Sequence, residues 1–519
     1  MACSFERYAT AWLVAAVAAI HVLASAGCTS YVGGFTEPAR EPADAATASE
    51  PDPAQAAASD REPPAFDGGL QQRDAERPSD PAPEQPMGAS YRFQSIEART
   101  RAILADVRSL GPNDRLRARY LDFTALANGG IRGEQLETYR EALSFLLNSL
   151  SRGRNVVVPR ALDESRLVYR VDLRDYGLSA ESWRLLEQRY PYGVVYRQDS
   201  RLFQSDEPSS AQVRAETGTQ IPVLQADWFI AHASRPPLYY QLLALPSTVA
   251  ELEAELGIDL ERNVASALVA RAGFAISSSS PSNRVIERHE RGGGGGALWR
   301  SYEFLNNLDR RNIFAFPLDF QPDGVEIMFQ LDNGLSAYFV ADAAGKRLDK
   351  VANELLRDPL ARDGAAEAGI SCMSCHQQEG PLRRDDEVLG LVQSTGSAGL
   401  LERVAGLYPP QSELAAAFAA DQASYRAACS ELSIERLEVG TLHALDDAHF
   451  GALDLATAAS VLGLEASALG RALDASPQSF PLEIVALRAA SGAVRRDAFD
   501  AAAGRVVQAL GLGTPLRVP

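Results

Sequence analysis

Cys372, Met373, Ser374, Cys375 and His376 make a C-x-x-C-H run. Two thiols at this spacing can add across both vinyl groups of one haem, and the adjacent imidazole is then placed under the iron. The pentapeptide predicts one covalent haem c, with thioethers at Cys372 and Cys375 and with His376 as the proximal iron ligand. Two other chemistries use paired cysteines. A structural zinc site needs two further Cys or His ligands at a second paired spacing, and the only cysteine downstream, Cys429, stands alone. A redox C-x-x-C belongs at a helix start after a strand.

The second iron ligand is harder to find. The chain has four methionines, Met1, Met87, Met328 and Met373, and none follows the haem motif. A downstream methionine ligand is therefore excluded. The candidates are Met328, His289, His443 or His449, or an open position. Met328 lies in an apolar strand, where methionine commonly fills core space. His443 and His449 flank Asp446-Asp447 in a polar segment and read equally well as surface imidazoles; His232, between Ile230 and Ser234, reads as a partly buried helix residue. His289 has Arg284, Arg288 and Arg291 as neighbours. Guanidinium groups suit haem propionates because they pair with carboxylates bidentately; a charged surface strand is the alternative.

The elements that must position these residues read as mainly helical with a small antiparallel β region, an α+β fold with helical segments around the haem. Residues 1–28 read as a signal, 29–89 as a linker, 90–275 as a mainly helical region, 276–350 as a small β region and 351–519 as the haem-binding helical region; 90–519 can also form one unit. From Ile96 to Arg152 the pattern is helical, with Leu136, Tyr139, Leu143, Leu146, Leu147 and Leu150 on one face. Leu167–Leu173 reads as a strand and Glu181–Arg189 as a helix, with short helices around Trp228 and over Val249–Leu256. Asn283–His289 reads as a strand, followed by the glycine run Gly292–Gly296, which predicts a loop. Glu326–Leu331 and Ser336–Val340 flank Asn333-Gly334, the best hairpin signal in the chain. Ser412–Glu431 reads as one long helix, and further helices follow from Asp454 to Leu512.

Arg7 precedes an apolar run from Ala11 to Ala26 that ends in Ala26-Gly27-Cys28. That is the pattern of a secretory signal, too short for a comfortable membrane span. The cysteine after Gly27 predicts lipidation of Cys28 and a lipid anchor; an ordinary cleaved signal with an incidental cysteine is the alternative. Residues 29–89 are rich in Pro, Ala, Ser and acids and read as a disordered tether. Cysteine use agrees with export: no disulfide framework is left once the signal and haem positions are assigned. Of the formal net charge of −18, residues 41–90 hold −8, from 11 acidic and 3 basic side chains. The balance argues against nucleic-acid binding and is compatible with docking to a basic redox partner. The expected location is periplasmic or at the outer membrane.

Three stretches resemble a group of large exported bacterial cytochrome c-like proteins whose function is uncharacterised. They are Asn283-Arg284-Val285-Ile286-Glu287-Arg288-His289, Asp332–Tyr338, and Gly369–His376. Tyr190-Pro191-Tyr192-Gly193 and Ser234-Arg235-Pro236-Pro237-Leu238-Tyr239 are similar to that group as well. The resemblance runs from about residue 115 to the C-terminus. It implies His289 as the distal ligand, because that residue falls inside a matching stretch, and it implies no substrate. Three function classes remain. The first is electron transfer through one six-coordinate haem. The second is a peroxidase-like oxidoreductase with an open or weakly ligated iron, in which Arg288 and His289 polarise bound peroxide. The third is a non-redox surface lipoprotein with haem as a staple or gas sensor.

Overall fold

Asn333-Gly334 turns the chain between two strands, β9 (Gly324–Gln330) and β10 (Ser336–Asp342), paired antiparallel with Gln330 opposite Ser336. Gly334 takes a left-handed φ of +89°, and Asn333 Oδ1 accepts from the Leu335 amide. This five-residue connection, Leu331 to Leu335, is closed by the Leu331 amide donating to the Leu335 carbonyl, and loops of this length are among the common hairpin connections. Here and below we describe a computed structural model, which covers residues 91–197, 207–277, 279–292 and 295–516. The expected signal, the Cys28 lipidation site and the 29–89 linker lie outside the described residues, as does part of the glycine run.

The hairpin is one edge of a five-stranded antiparallel sheet ordered β10-β9-β8-β7-β6, with β6 at Val269–Phe274, β7 at Arg284–Glu290 and β8 at Ala297–Glu303. It starts a few residues before the boundary expected at 276 and fills the expected β region. A strand exposes alternate side chains to opposite faces, and both faces of this sheet are used. On one face Arg288, Trp299, Met328 and Tyr338 lie in register across β7, β8, β9 and β10. The other face carries Glu287, His289 and Arg271, all buried.

The fold is α+β, as expected, but the N-terminal region is less helical than its sequence pattern predicts. Its helices include Ile96–Ser109 and Gly133–Ser149. Between them lies β1 (Ala118–Asp122), buried along its whole length. It pairs antiparallel with β3 (Val168–Asp172) and parallel with β5 (Val223–Gln225), and β2 (Arg160–Ala161) extends the sheet beyond β3. A short pair joins β4 (Val194–Tyr196) to β11 (Gly513–Pro515), so the end of the described chain returns to the N-terminal half. One buried apolar cluster extends from Leu121 to Leu512 and includes Cys372 and Met373.

Several helices carry their own stop and start signals. Ser95 Oγ accepts from the Ala98 amide at the first helix, and Thr248 with Glu251 forms a capping box at Val249–Leu256. The long helix Gln411–Glu431 lies where the Ala-rich pattern predicts it and buries Leu414, Phe418, Gln422, Tyr425 and Ala428. Among the described residues no helix is long and apolar enough to cross a membrane.

Candidate haem-attachment site

The C-x-x-C-H run forms the helix Ile370–His376. Residues three apart share a helix face, so Cys372 and Cys375 point the same way, and both line one cavity together with His376. The helix begins at Gly369, whose φ is +85°; a Cβ there would lie 2.4 Å from the Ser234 carbonyl oxygen and 2.8 Å from the Tyr239 ring. Tyr239 in turn accepts the Tyr338 amide hydrogen at 2.9 Å. Three of the stretches singled out in the sequence, around Ser234–Tyr239, Tyr338 and Gly369, thus meet at the start of the motif helix.

The His376 ring is held by its neighbours. Its Nδ1 lies 2.6 Å from the Gly380 carbonyl oxygen, and the Tyr338 ring packs against it at 5.8 Å between centroids. Metal-bound histidines use their second nitrogen in this way, which fixes the tautomer and turns the other nitrogen toward the metal. No hydrogen bond engages Nε2 among the described residues. The loop carrying Gly380 is itself clamped by the long helix: Tyr425 donates to Gln377 O at 3.0 Å and Gln422 to Pro381 O at 2.9 Å.

The cavity has a volume of about 160 Å³. The sheet forms one wall with Trp299, Ser301, Glu326, Met328 and Val340; Asp358, Leu382, Arg384 and Phe418 lie on others. Phe418 stacks on Trp299 at 4.3 Å. Arg284 is buried and bonds Ser279, Ser301 and Glu303, with Glu326 at 3.4 Å. Arg384 has no carboxylate partner among the described residues; burial, and then the charge of Arg284, lower its pKa. Two buried atoms of the lining region, Arg284 Nε and the Tyr338 hydroxyl, have no hydrogen-bond partner.

These features fit a haem better than the two rivals. Both thiols are free. Burial raises the Cys372 thiol well above its ordinary range and Cys375 to about 12, with negative charge at Glu326 adding to both. Such thiols are poor thiolates, the opposite of a redox pair. Among the described residues no further cysteine or histidine lines the cavity to give zinc a second ligand pair; Cys429 Sγ sits behind the motif, 4.0 Å from Gln377 O, and the carboxylates of Glu326 and Asp358 do not close into a ligand cluster with the motif.

The structure does not bring His289 to His376. In β7 the alternation turns Arg284 and Ile286 to the cavity and His289 to the other face. There His289 is fully buried, with Nε2 2.8 Å from Glu287 Oε1 and Nδ1 3.3 Å from Asn263. Arg271 at 2.6 Å and the Tyr302 hydroxyl at 2.7 Å complete the shell of Glu287. The geometry does not favour the expected distal role of His289: both ring nitrogens are engaged in a buried network on the face away from the cavity. Of the three arginines, only Arg284 lines the cavity. Arg288 forms a two-bond pair with Asp421, at 2.8 and 3.0 Å, and Arg291 bonds Gln330 O at 2.5 Å. The paired arrangement leaves neither Arg288 nor His289 free to polarise a ligand at the motif.

His443 and His449 are not surface imidazoles. His443 Nε2 faces Asp358 Oδ2 at 2.7 Å, behind the cavity wall, and His449 Nδ1 faces Asp227 Oδ2 at 3.0 Å. His232 is partly buried, as its helix context predicts, and stacks on Trp228 at 4.8 Å. Among the four expected ligand candidates, only Met328 lines the cavity with the motif. Sequence reasoning missed Glu326 and Arg384. The signal for Glu326 was present: Glu326, Met328 and Gln330 alternate with Val325, Ile327 and Phe329, which marks a polar face on an otherwise apolar strand. Comparison with protein-family models, curated proteins and solved structures gives no match for this chain.

Proposed function

We propose that the protein is an exported monohaem c-type cytochrome that transfers electrons, similar to the large exported cytochrome c-like proteins its motif stretches resemble. The observation that carries this reading is the state of His376: Nδ1 is committed to Gly380 O, while His376, Cys372 and Cys375 line one cavity. Cys372 and Cys375 would hold the haem through thioethers, formed by addition of each S–H across a vinyl double bond, which would need no oxidant and release nothing. The bound haem supplies a one-electron couple.

The chain's own residues do the rest. Gly380 orients the imidazole; Trp299, Phe418 and Val340 exclude water from the cavity; Arg284 and Arg384 offer positive charge to propionates. Met328 replaces His289 as the candidate second ligand, and a thioether there favours the ferrous state. Export through the N-terminal signal, with Cys28 as the anchor, accounts for maturation in an oxidising compartment, where a basic redox partner would dock. A second reading, catalysis at an open iron, draws on Glu326 and Arg284 beside the motif, which could move a proton or polarise a small ligand.

The test is to express the chain with the periplasmic haem-attachment machinery and stain a denaturing gel for haem. Stain that persists on wild type and disappears in a Cys372→Ala, Cys375→Ala double variant is expected; colourless wild-type protein carrying zinc sinks the proposal. A low-spin spectrum supports transfer, and a high-spin ferric spectrum that shifts with azide supports catalysis.

A further inference from the structure

A second cluster of ligand-type side chains lies away from the haem motif. The helix Thr441–His449 packs against the motif helix and carries His443 toward Asp358. Its last residue, His449, turns instead to the helices Ala226–Ala233 and Arg496–Ala509. There one ligand atom each from His232, His449 and Asp500 lie within 4.8 Å of one another.

Three features separate this cluster from a chance meeting of polar groups. First, His449 is 3% exposed, and its Nε2 has no hydrogen-bond partner although Nδ1 is fixed by Asp227. His232 Nε2 is likewise buried and unpartnered. Burying such nitrogens unpaired is unfavourable, and a bound cation removes that penalty. Second, the Asp227–His449 contact is the carboxylate–histidine arrangement that orients an imidazole toward a metal. Third, Tyr192 and Arg496 both donate to Asp500 Oδ1, leaving Oδ2 as its free oxygen. A cavity of about 280 Å³, lined by Arg189, Trp228, His232, Asp500 and Gly504, reaches the cluster.

We propose that His232, His449 and Asp500 form a binding site for a divalent transition-metal ion of the zinc class, with Asp227 positioning His449 and an open position facing the cavity. Two imidazoles and a carboxylate are a donor set that zinc takes with a fourth site left free. Ligand atoms around zinc sit about 3.3 Å apart, given bonds of about 2.0–2.2 Å, so side chains whose ligand atoms now lie within 4.8 Å of one another close by up to about 1.5 Å on binding. Arg496 sets a limit on affinity: its guanidinium lies 3.8 Å from Asp227 Oδ2 and repels a cation. The site is independent of the haem reading, and neither stands or falls with the other.

The test uses the full chain with the thiols of Cys372 and Cys375 blocked, by haem where it is attached and by alkylation otherwise, so that the motif cysteines cannot take zinc. After treatment with a chelator, the protein is dialysed against ZnCl2, and zinc and iron are counted by mass spectrometry. One zinc per chain is expected. His232→Gln and His449→Gln are expected to weaken binding at least tenfold while keeping the circular dichroism spectrum. Wild-type zinc retention no greater than that of the His232→Gln and His449→Gln variants overturns the proposal. Should either variant fail to fold, wild-type crystals soaked in ZnCl2 decide the matter. An anomalous peak between the two imidazoles is expected; a peak only elsewhere, or none, overturns it.

Discussion

Gly380 and His376 are joined by a 2.6 Å contact from imidazole Nδ1 to carbonyl oxygen, and Gly380 adopts a left-handed φ of +66° to make it. A Cβ at this position would also come within 3.0 Å of the Tyr425 ring. Gly380→Ala is therefore expected to cost about 1–3 kcal/mol in backbone strain and to loosen the imidazole. Covalent attachment of haem is expected to survive, because the thiols are untouched. Chemical denaturation together with the optical spectrum checks this, and a variant as stable as wild type with an unchanged spectrum contradicts it.

Met328 and His289 separate two accounts of the distal side. Met328→Ala is expected to convert a low-spin haem to high spin, and Met328→His to lower the reduction potential, since a thioether ligand raises it. His289→Ala is expected to leave the spectrum alone but to destabilise the fold by about 3 kcal/mol, because it strips a partner from the buried Glu287. A spectrum changed by the His289 substitution and unmoved by both Met328 substitutions would reverse the assignment.

The motif, the hairpin and the long helix were legible because each is written in local chemistry: paired thiols, Asn333-Gly334 and an Ala-rich run. The distal side was not, because it depends on which sheet face meets the motif. A histidine beside three arginines looked like a haem ligand, yet one strand's alternation sends Arg284 and His289 to opposite faces. The strand Ala118–Asp122 was hidden for a related reason. It is buried on both faces, so it lacks the period-two signal that marks a half-exposed strand.

The Glu287 network gives an acid-stability prediction. Burial alone would raise the Glu287 pKa from 4.5, but the hydrogen bond from His289 and the charge of Arg271 outweigh it and hold the carboxyl at about 2. Because the folded value is depressed, the stabilisation is fully present above the unfolded value near 4.5 and is lost as pH falls toward 2. Its size is on the order of 3 kcal/mol. Glu287→Gln is expected to lower stability at neutral pH, by stranding Arg271, and to flatten the decline between pH 4.5 and 2. Denaturant titrations at stepped pH measure both, and an undiminished slope in the variant rules the network out as the source.

Arg384 and Arg284 both line the motif cavity, but only Arg284 is bonded to carboxylate, at Glu303. Removing Arg284 strands that buried acid, so its substitution mixes folding with electrostatics. Arg384 has no such partner, which makes it the cleaner probe. A cation near the iron favours the reduced state, and its charge acts through a low-dielectric wall. Arg384→Gln is therefore expected to lower the midpoint potential by tens of millivolts, on the order of one charge acting across a cavity wall with an effective dielectric of about 20. Global stability is expected to change by less than about 1 kcal/mol, because no ion pair to a protein carboxylate is broken and a propionate contact at the cavity mouth is solvent-screened. Spectroelectrochemical titration at low and high salt provides the reading. A potential equal to that of wild type at low salt would show that Arg384 does not face the haem.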